Sequence, residues 1–571
     1  MTELPHVSRE AEVLYERLSP FELKTKLSEL ADLHDSKLML KAGRGNPNWI
    51  ATTPRDAFFL LGQFGLTESR RVWDEPGLGG MPEAAGIADR FEAFLGPRAG
   101  EPGVDLLQEG VAYGVVEKGF DRDTWVHELT DAIIGDNYPV PDRMLRGVEH
   151  VVRDFLVAEL CGDTPVAGTF DLFAVEGGTA AMCYIFETLA ANKLLNPGDR
   201  IAIGLPVFTP YIEIPQLPHH RFDVVPLQAS EFDDLGFHSW QYPDDEIDKL
   251  ADPTIKAVFL VNPSNPPSVM MRPATMHRLA EVVRTANPDL IIITDDVYCS
   301  FVPNFTSLMA VLPNNVIGVY SFSKYFGSTG WRLGVVAIHE DNVLDRLLEK
   351  LPQEMQAILE HRYKTITLEP GSLRFIDRLV ADSRHVALNH TAGLSLPQQV
   401  QMVLFALAEL TDSEDRYKLR LREILGERLR LLMAGTGVDL PADDLRAGYY
   451  VELDLQAWAK RTYGPGFASF VVGNYEPVDF VFRLAEQESV VLLNGGGFDA
   501  PEWSIRISLA NLADDAYERI GAAIARIGFE YVAEFVAAGG VIDMDPFADS
   551  GGSDSGGSDT DGDDGGGGER I

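Results

Sequence analysis

The run Ser321-Phe-Ser-Lys324-Tyr-Phe-Gly327-Ser-Thr-Gly330-Trp-Arg332-Leu-Gly334 places an amine, a guanidinium and small residues within a short stretch. The apolar segment Val316 to Tyr320 comes just before it, so Lys324 falls on a loop that leaves a buried strand. An amine held there can form a Schiff base with an aldehyde. Arg332 suits a dianionic phosphate, because a guanidinium binds two oxygens at once where an ammonium is a mobile point charge. The glycines let the backbone come close to that phosphate. The chemistry indicated is that of a phosphorylated aldehyde cofactor.

Four further segments supply what such a cofactor needs. Asp295, in Thr294-Asp295-Asp296-Val297-Tyr298, follows Leu290-Ile-Ile-Ile293 and so stands at the carboxyl end of a buried strand, where ligands of open α/β sheets collect. A carboxylate there keeps a pyridine nitrogen protonated, and Tyr298 can donate to the ring's phenolic oxygen. Asp296 competes with Asp295 for the first role. Asn265, in the turn Asn262-Pro-Ser-Asn265-Pro-Pro-Ser268, can reach the same oxygen. Gly177-Gly178-Thr179 opens a helical stretch from Met182 to Leu195, and small residues at a helix start present backbone amides to a phosphate. Arg506, the one cation of the alternating strand Trp503 to Ser508, reads as the binder of a substrate carboxylate. The set names pyridoxal 5'-phosphate.

With these residues in this order, the chain resembles the fold-type I pyridoxal-phosphate enzymes, the aspartate aminotransferase superfamily, from about residue 40 to about residue 530. Within that superfamily, Lys41-Ala-Gly43-Arg44-Gly45-Asn46-Pro47-Asn48-Trp49-Ile50, the following Thr53-Pro54-Arg55 and the overall length look like the aspartate β-decarboxylases. The resemblance implies that Lys324 is the Schiff-base lysine, Asp295 the pyridinium partner, and Tyr298 and Asn265 the phenolate partners. It assigns Gly178, Thr179, Ser321 and Arg332 to the phosphate, Phe208 to stacking on the ring, and Arg506 to the substrate α-carboxylate. Gly45, Arg44 and Asn265 complete the substrate side. Tyr138 matches a tyrosine that reaches the phosphate of a neighbouring subunit, which implies a homodimer, and the resembled enzymes build larger homo-oligomers from such dimers.

The activity implied is β-decarboxylation of L-aspartate to L-alanine and CO2 through a ketimine, with aspartate transamination as a side reaction. The alternative is an aminotransferase acting on aspartate or another amino acid. The chain departs from the superfamily pattern at Asn265-Pro-Pro-Ser, where Asn-Pro-Thr-Gly is usual, and at Gly177, where many relatives carry serine. Thr391 stands near where dicarboxylate aminotransferases place an arginine for the distal carboxylate. Its absence suits an enzyme that expels that group, since a tight ion pair would stabilise the ground state.

Positioning these residues calls for an α/β fold: a large cofactor domain with a mainly parallel sheet, plus a smaller α+β domain. We expect an N-terminal helical arm and the start of the small domain over 1–65, and an insertion leading into the large domain over 66–150. The large domain follows over 151–370, the small domain over 371–545, and a disordered Gly/Ser/Asp tail over 546–571. Trp73, Phe91, Phe94 and Leu95 give the insertion apolar residues to bury in a larger assembly.

At 571 residues and 45% hydrophobic, the chain suits a large enzyme. It has neither a membrane-length apolar run nor a basic, apolar leader, so a cytoplasmic location is expected. Three cysteines without metal spacing suggest reduced thiols, and no metal-ligand cluster is visible. The segment from Asp549 onward contributes −6 of the net charge of −39, leaving −33 on the body. That acidity argues against a nucleic-acid partner. It fits either a salt-rich cytoplasm, where screening relieves self-repulsion, or an ordinary acidic enzyme.

Overall fold

Several apolar runs are flanked by helices and buried on both faces, as strands of a parallel sheet must be. The computed structural model describes residues 7–32, 39–234, 236–387 and 392–542. The tail expected from 546, and Thr391, lie outside the described residues. In chain order the strands are β1 (Leu40–Lys41), β2 (Phe170–Val175), β3 (Arg200–Leu205), β4 (Asp223–Gln228), β5 (Ile255–Val261) and β6 (Ile291–Asp295). After them come β7 (Val316–Ser321), β8 (Gly334–His339), β9 (Tyr450–Asp454), β10 (Val490–Val491), β11 (Leu493–Asn494) and β12 (Ser504–Ser508).

The large sheet has the order β2-β8-β7-β6-β5-β3-β4, and only β8 runs against the other six. Alternate residues of each strand feed two cores. Ile291, Ile293 and Phe259 face the helices Gly178–Ala191 and Phe375–Ala387. Ile292, Val258 and Leu260 face Arg146–Cys161 and Pro273–Thr285. This is the fold-type I architecture expected from the sequence. The carboxyl ends of β3, β5, β6 and β7 open onto one edge, followed there by Pro206, Asn262, Asp296 and Phe322.

A second sheet, β11-β12-β9, is antiparallel, and β1 pairs with β10. The helices from 375 to 410 pack on Gly178–Ala191, Arg146–Cys161 and Thr53–Val72 rather than on this smaller sheet. They therefore join the large sheet's layer, although the sequence boundary at 371 places them in the small domain. In the insertion, Phe91 and Leu95 are buried within the chain, with Phe91 against Phe64, whereas Trp73 is 51% exposed. Part of the apolar surface expected to serve assembly is thus used in the chain's own core.

Two long-range tethers set the site's walls. Residues 40–51 are bonded to the far end of the chain: Asn511 Nδ2 donates to Lys41 O (2.6 Å), Asn48 Nδ2 to Leu512 O (2.8 Å), and Ser508 N to Ala42 O (2.7 Å). The helix Pro20–Ala31 lies on the Gly495–Gly497 turn so closely that a Cβ at Gly497 would sit 2.3 Å from Pro20 Cγ. Among the described residues, no helix is long and apolar enough to cross a membrane.

The helices Arg416–Thr436 and Asp514–Ala537 cross at Gly435 and Gly521, where a Cβ on Gly521 would meet Leu432 O at 2.1 Å. That neighbour is backbone and has no rotamer through which to move. Gly521→Ala is expected to lower stability by about 1–3 kcal/mol through overpacking, a cost that outweighs the gain of about 1 kcal/mol in helix propensity. Denaturant unfolding of the variant checks this, and an unchanged midpoint would show that the crossing has slack.

Candidate active site

Lys324 leaves β7 and lies across from the 43–45 segment, where its Nζ donates to Gly45 O at 2.9 Å. The same carbonyl accepts from Tyr449 Oη at 2.8 Å. Its loop is fixed from outside: Trp49 Nε1 donates to Tyr325 O (3.0 Å), and Arg55 donates to Phe326 O (3.1 Å) and Gly327 O (2.8 Å). Gly327 has φ +57 and a Cβ there would fall 1.9 Å from Trp49 O, so only glycine fits this turn.

The structure separates the two neighbouring aspartates. Asp295 Oδ2 accepts from Tyr211 Oη (2.7 Å) and Oδ1 from Val297 N (3.2 Å), and the carboxylate faces Gly178, whose Cβ would lie 3.8 Å from Oδ2. Burial raises its pKa, while Tyr211, Val297 and the charge of Lys324 oppose that rise. Asp296 turns into the core, bonded to Thr294 Oγ1 (2.7 Å) and Ser307 Oγ (2.5 Å), with burial pushing it up to about 7.

Gly177 and Gly178 begin the helix Gly178–Ala191, whose first turn carries the positive end of the helix dipole. Arg332 lies over this end, its Nη2 donating to Glu176 O (3.3 Å) and Nη1 to Thr329 O (3.0 Å). Gly177 has φ +93, and a Cβ there would come within 2.5 Å of Arg332 Nη2. A glycine in place of serine suits this positive φ. Ser321 is buried at the end of β7, a Cβ on Gly178 lying 3.9 Å from its own Cβ, and Thr179 is exposed at the helix start. These groups fit pyridoxal phosphate. Amides, Arg332 and Ser321 suit the phosphate, Lys324 the aldehyde, and Asp295, held in no ion pair among the described residues, suits a protonated ring nitrogen.

The opposite wall holds Arg506, only 2% exposed. Its Nη1 donates to Asn265 Oδ1 (3.1 Å) and Nη2 to Gly43 O (3.3 Å), its Nε has no hydrogen-bond partner among the described residues, and it lies between the Tyr450 and Phe498 rings at 4.4 and 4.7 Å. Among the described residues no carboxylate pairs with it. Asn265 Nδ2 also donates to Tyr298 Oη at 3.5 Å, and Tyr298 Oη to Tyr450 Oη at 3.4 Å. Sequence reasoning missed Tyr449 and Tyr450, whose adjacency at the start of an alternating strand is their only signal. It also missed Tyr211, three residues beyond Phe208. A third omission is Lys24 on Pro20–Ala31: partial burial and then the charges of Arg44 and Arg506 lower its pKa.

Arg44 is exposed beside this wall, and Gly45 must lack a side chain because a Cβ would lie 2.7 Å from Tyr450 Oη. Phe208 is half-buried, edge-on to Tyr211 at 5.5 Å. Tyr138 is 69% exposed.

Glu452 stands opposite Arg506 in the β9–β12 register, its Oε1 accepting from Ser504 Oγ at 2.6 Å. Burial lifts its pKa to about 8. Its contribution to stability is complete below the unfolded value of about 4.5 and is lost as pH climbs through about 8. Ionised Glu452 also competes for the field of Arg506. The dissociation constant of a dicarboxylate such as succinate should therefore rise above pH 8, by up to about ten-fold per pH unit for one proton, and Glu452→Gln should flatten that rise. Identical profiles for the two proteins would sever Glu452 from the site.

Comparison with known proteins agrees with this geometry. The family described as aminotransferase class I and II matches residues 173–524. A bifunctional aspartate aminotransferase and L-aspartate beta-decarboxylase from Pseudomonas sp is 48% identical over 524 residues, covering 91% of this chain and 98% of the relative. An aspartate aminotransferase from Sulfolobus acidocaldarius is 34% identical over 166 residues, covering 28% of this chain and 39% of the relative. Among solved structures, the aspartate aminotransferase of Rhizobium meliloti has a TM-score of 0.56 at 15% identity, covering 92% of this chain and 99% of that one. A Thermus thermophilus aspartate aminotransferase double mutant has a TM-score of 0.55 at 17% identity, covering 92% and 100%. Helix-start glycines, strand-end carboxylate, loop lysine and buried arginine all lie within a match that takes in the cofactor sheet and most of the smaller half, and the chain belongs to the class I and II aminotransferases.

Proposed function

We propose that this chain removes the β-carboxylate of L-aspartate to give L-alanine and CO2, with transamination as its second activity. The observation that carries the reading is Arg506, a buried guanidinium with no anionic partner among the described residues, facing the lysine wall and flanked by further cations at Arg44 and Lys24. One cation for the α-carboxylate and others for a distal carboxylate are what a dicarboxylic amino acid requires. The 48% identity to a bifunctional aspartate aminotransferase and L-aspartate beta-decarboxylase over nearly all of that relative supports the same substrate.

Pyridoxal 5'-phosphate is the cofactor, and when bound it supplies an electron sink for the bond-breaking steps. Gly178, Thr179, Ser321 and Arg332 would hold its phosphate, Asp295 its ring nitrogen, Tyr298 and Asn265 its phenolic oxygen, and Phe208 its face. Arg506 and Asn265 fix the substrate α-carboxylate. Lys324 then has its amine free to take the proton from Cα and later to return one. Tyr450, which the charges of Lys324 and Arg506 draw below its ordinary pKa against the opposing effect of burial, stands beside that path. Arg44 and Lys24 orient the distal carboxylate without a dry, tight pair, so that the bond to CO2 can break. The Pro20–Ala31 arm and the 43–51 segment keep water from the reacting carbons.

We further place the chain in the cytosol as a homodimer with Tyr138 reaching a neighbouring site. The three free cysteines and the exposure of Tyr138 support this. Trp73, Leu78 and Met81, all exposed on the insertion, are suited to contacts with further copies.

Incubating the holoenzyme with aspartate and no oxo acid should release CO2 and alanine in equal amounts over many turnovers, and Lys324→Ala should cut that release by about 100- to 10,000-fold. Oxo acid formation without CO2 would instead make the protein an aminotransferase. Arg44→Ala is expected to lower CO2 release by about 10- to 100-fold, the loss of one charge-assisted contact. It should also raise the share of turnovers that end in transamination. An unchanged partition would return Arg44 to the solvent surface.

A further inference from the structure

The helix Gly178–Ala191 faces the cofactor pocket with its first turn and a different set of residues with its third. Glu187 on that third turn meets His219 and His220, which lie between the short helix Ile214–Gln216 and β4. Glu187 Oε1 is 2.7 Å from His219 Nε2 and 3.6 Å from His220 Nε2, and one ligand atom from each residue lies within 4.8 Å of the other two. The two imidazole centroids are 4.3 Å apart. Glu187 precedes the histidines by more than thirty residues, so the fold brings together three residues that show no metal-ligand spacing in the sequence.

His220 is the unusual member. It is 1% exposed and fixed flat against Phe222, with centroids 5.2 Å apart at 13°. Its Nδ1 has no hydrogen-bond partner among the described residues, and 3.6 Å is too long for a bond from Nε2 to Glu187. His220 Nε2 therefore faces a carboxylate oxygen without bonding it, at a separation that a shared ion would bridge. His219, 55% exposed, has room to turn.

We propose that Glu187, His219 and His220 bind one divalent transition ion of the zinc type. Two imidazoles and a carboxylate are the donor set of a zinc site with three protein ligands and a fourth position for water. Magnesium and calcium prefer all-oxygen shells and are disfavoured. Bonds of about 2.0–2.1 Å place tetrahedral ligand atoms about 3.3 Å apart. The His220–Glu187 separation is already near that, and the exposed His219, 2.7 Å from Glu187, must move outward. A bound ion ties the cofactor-facing helix to the segment carrying Tyr211, whose hydroxyl holds Asp295. The ion acts on stability, and the inference stands independently of the substrate assigned above.

The test is calorimetric titration of chelator-treated, dialysed holoenzyme with Zn2+ in excess Mg2+, which fills sites made of carboxylates alone. One equivalent per chain and a raised thermal midpoint are expected. His219→Ala, at an exposed position the fold tolerates, and Glu187→Gln should each weaken binding at least about ten-fold and abolish the thermal shift. No binding to the unsubstituted protein, or binding and thermal shift unchanged in both variants, would overturn the proposal.

Discussion

A buried guanidinium with no counter-charge among the described residues governs this structure. Burying an unpaired cation costs several kcal/mol by the usual order of magnitude, and Arg506 recovers part of that cost through carbonyl, amide and aromatic contacts drawn from separate stretches of chain. Gly43 comes from the first strand's loop, Asn265 from the exit of β5, and Tyr450 from β9. Even Glu452 opposite it is held closer to neutrality by burial, so the positive field stays open to a ligand. The two sheets meet where these contacts converge.

The same economy explains why two adjacent aspartates have different duties. Strand alternation sends Asp295 to the ligand edge and Asp296 to a pair of core hydroxyls. The first can answer a cation at the ring, whereas the second braces the loop after β6. Gly177 shows a related trade. It gives up a side chain in exchange for a left-handed backbone, φ +93, that turns the chain into the helix beneath Arg332.

Much of this was legible in the sequence because it is local. Asp295 ends an apolar run, Lys324 lies three residues beyond one, Gly178 starts a helix and Arg332 comes two residues before β8, so each is marked by the element beside it. Tyr211, Tyr449, Tyr450 and Lys24 were not legible. They enter the site through tertiary packing: Tyr211 through its bond to Asp295, the tyrosine pair through the approach of β9, and Lys24 through an arm laid on Gly497. The split between the helices of 375–410 and the smaller sheet was hidden for the same reason, since an amphipathic helix declares that it has a buried face and not which partner covers it.

The tethers between residues 41–48 and 508–512 have a consequence for biosynthesis. Asn48, Asn511 and Ser508 close loops of more than 450 residues, and synthesis delivers the early partner long before the late one. The large sheet, whose strands end at His339, can form while the ribosome is still working. The wall opposite Lys324 cannot, because the carbonyls of Lys41 and Ala42 are held by Asn511 and Ser508, which are yet to be translated. A nascent chain therefore carries a formed sheet whose facing wall stays unfinished until residue 512 has left the exit tunnel.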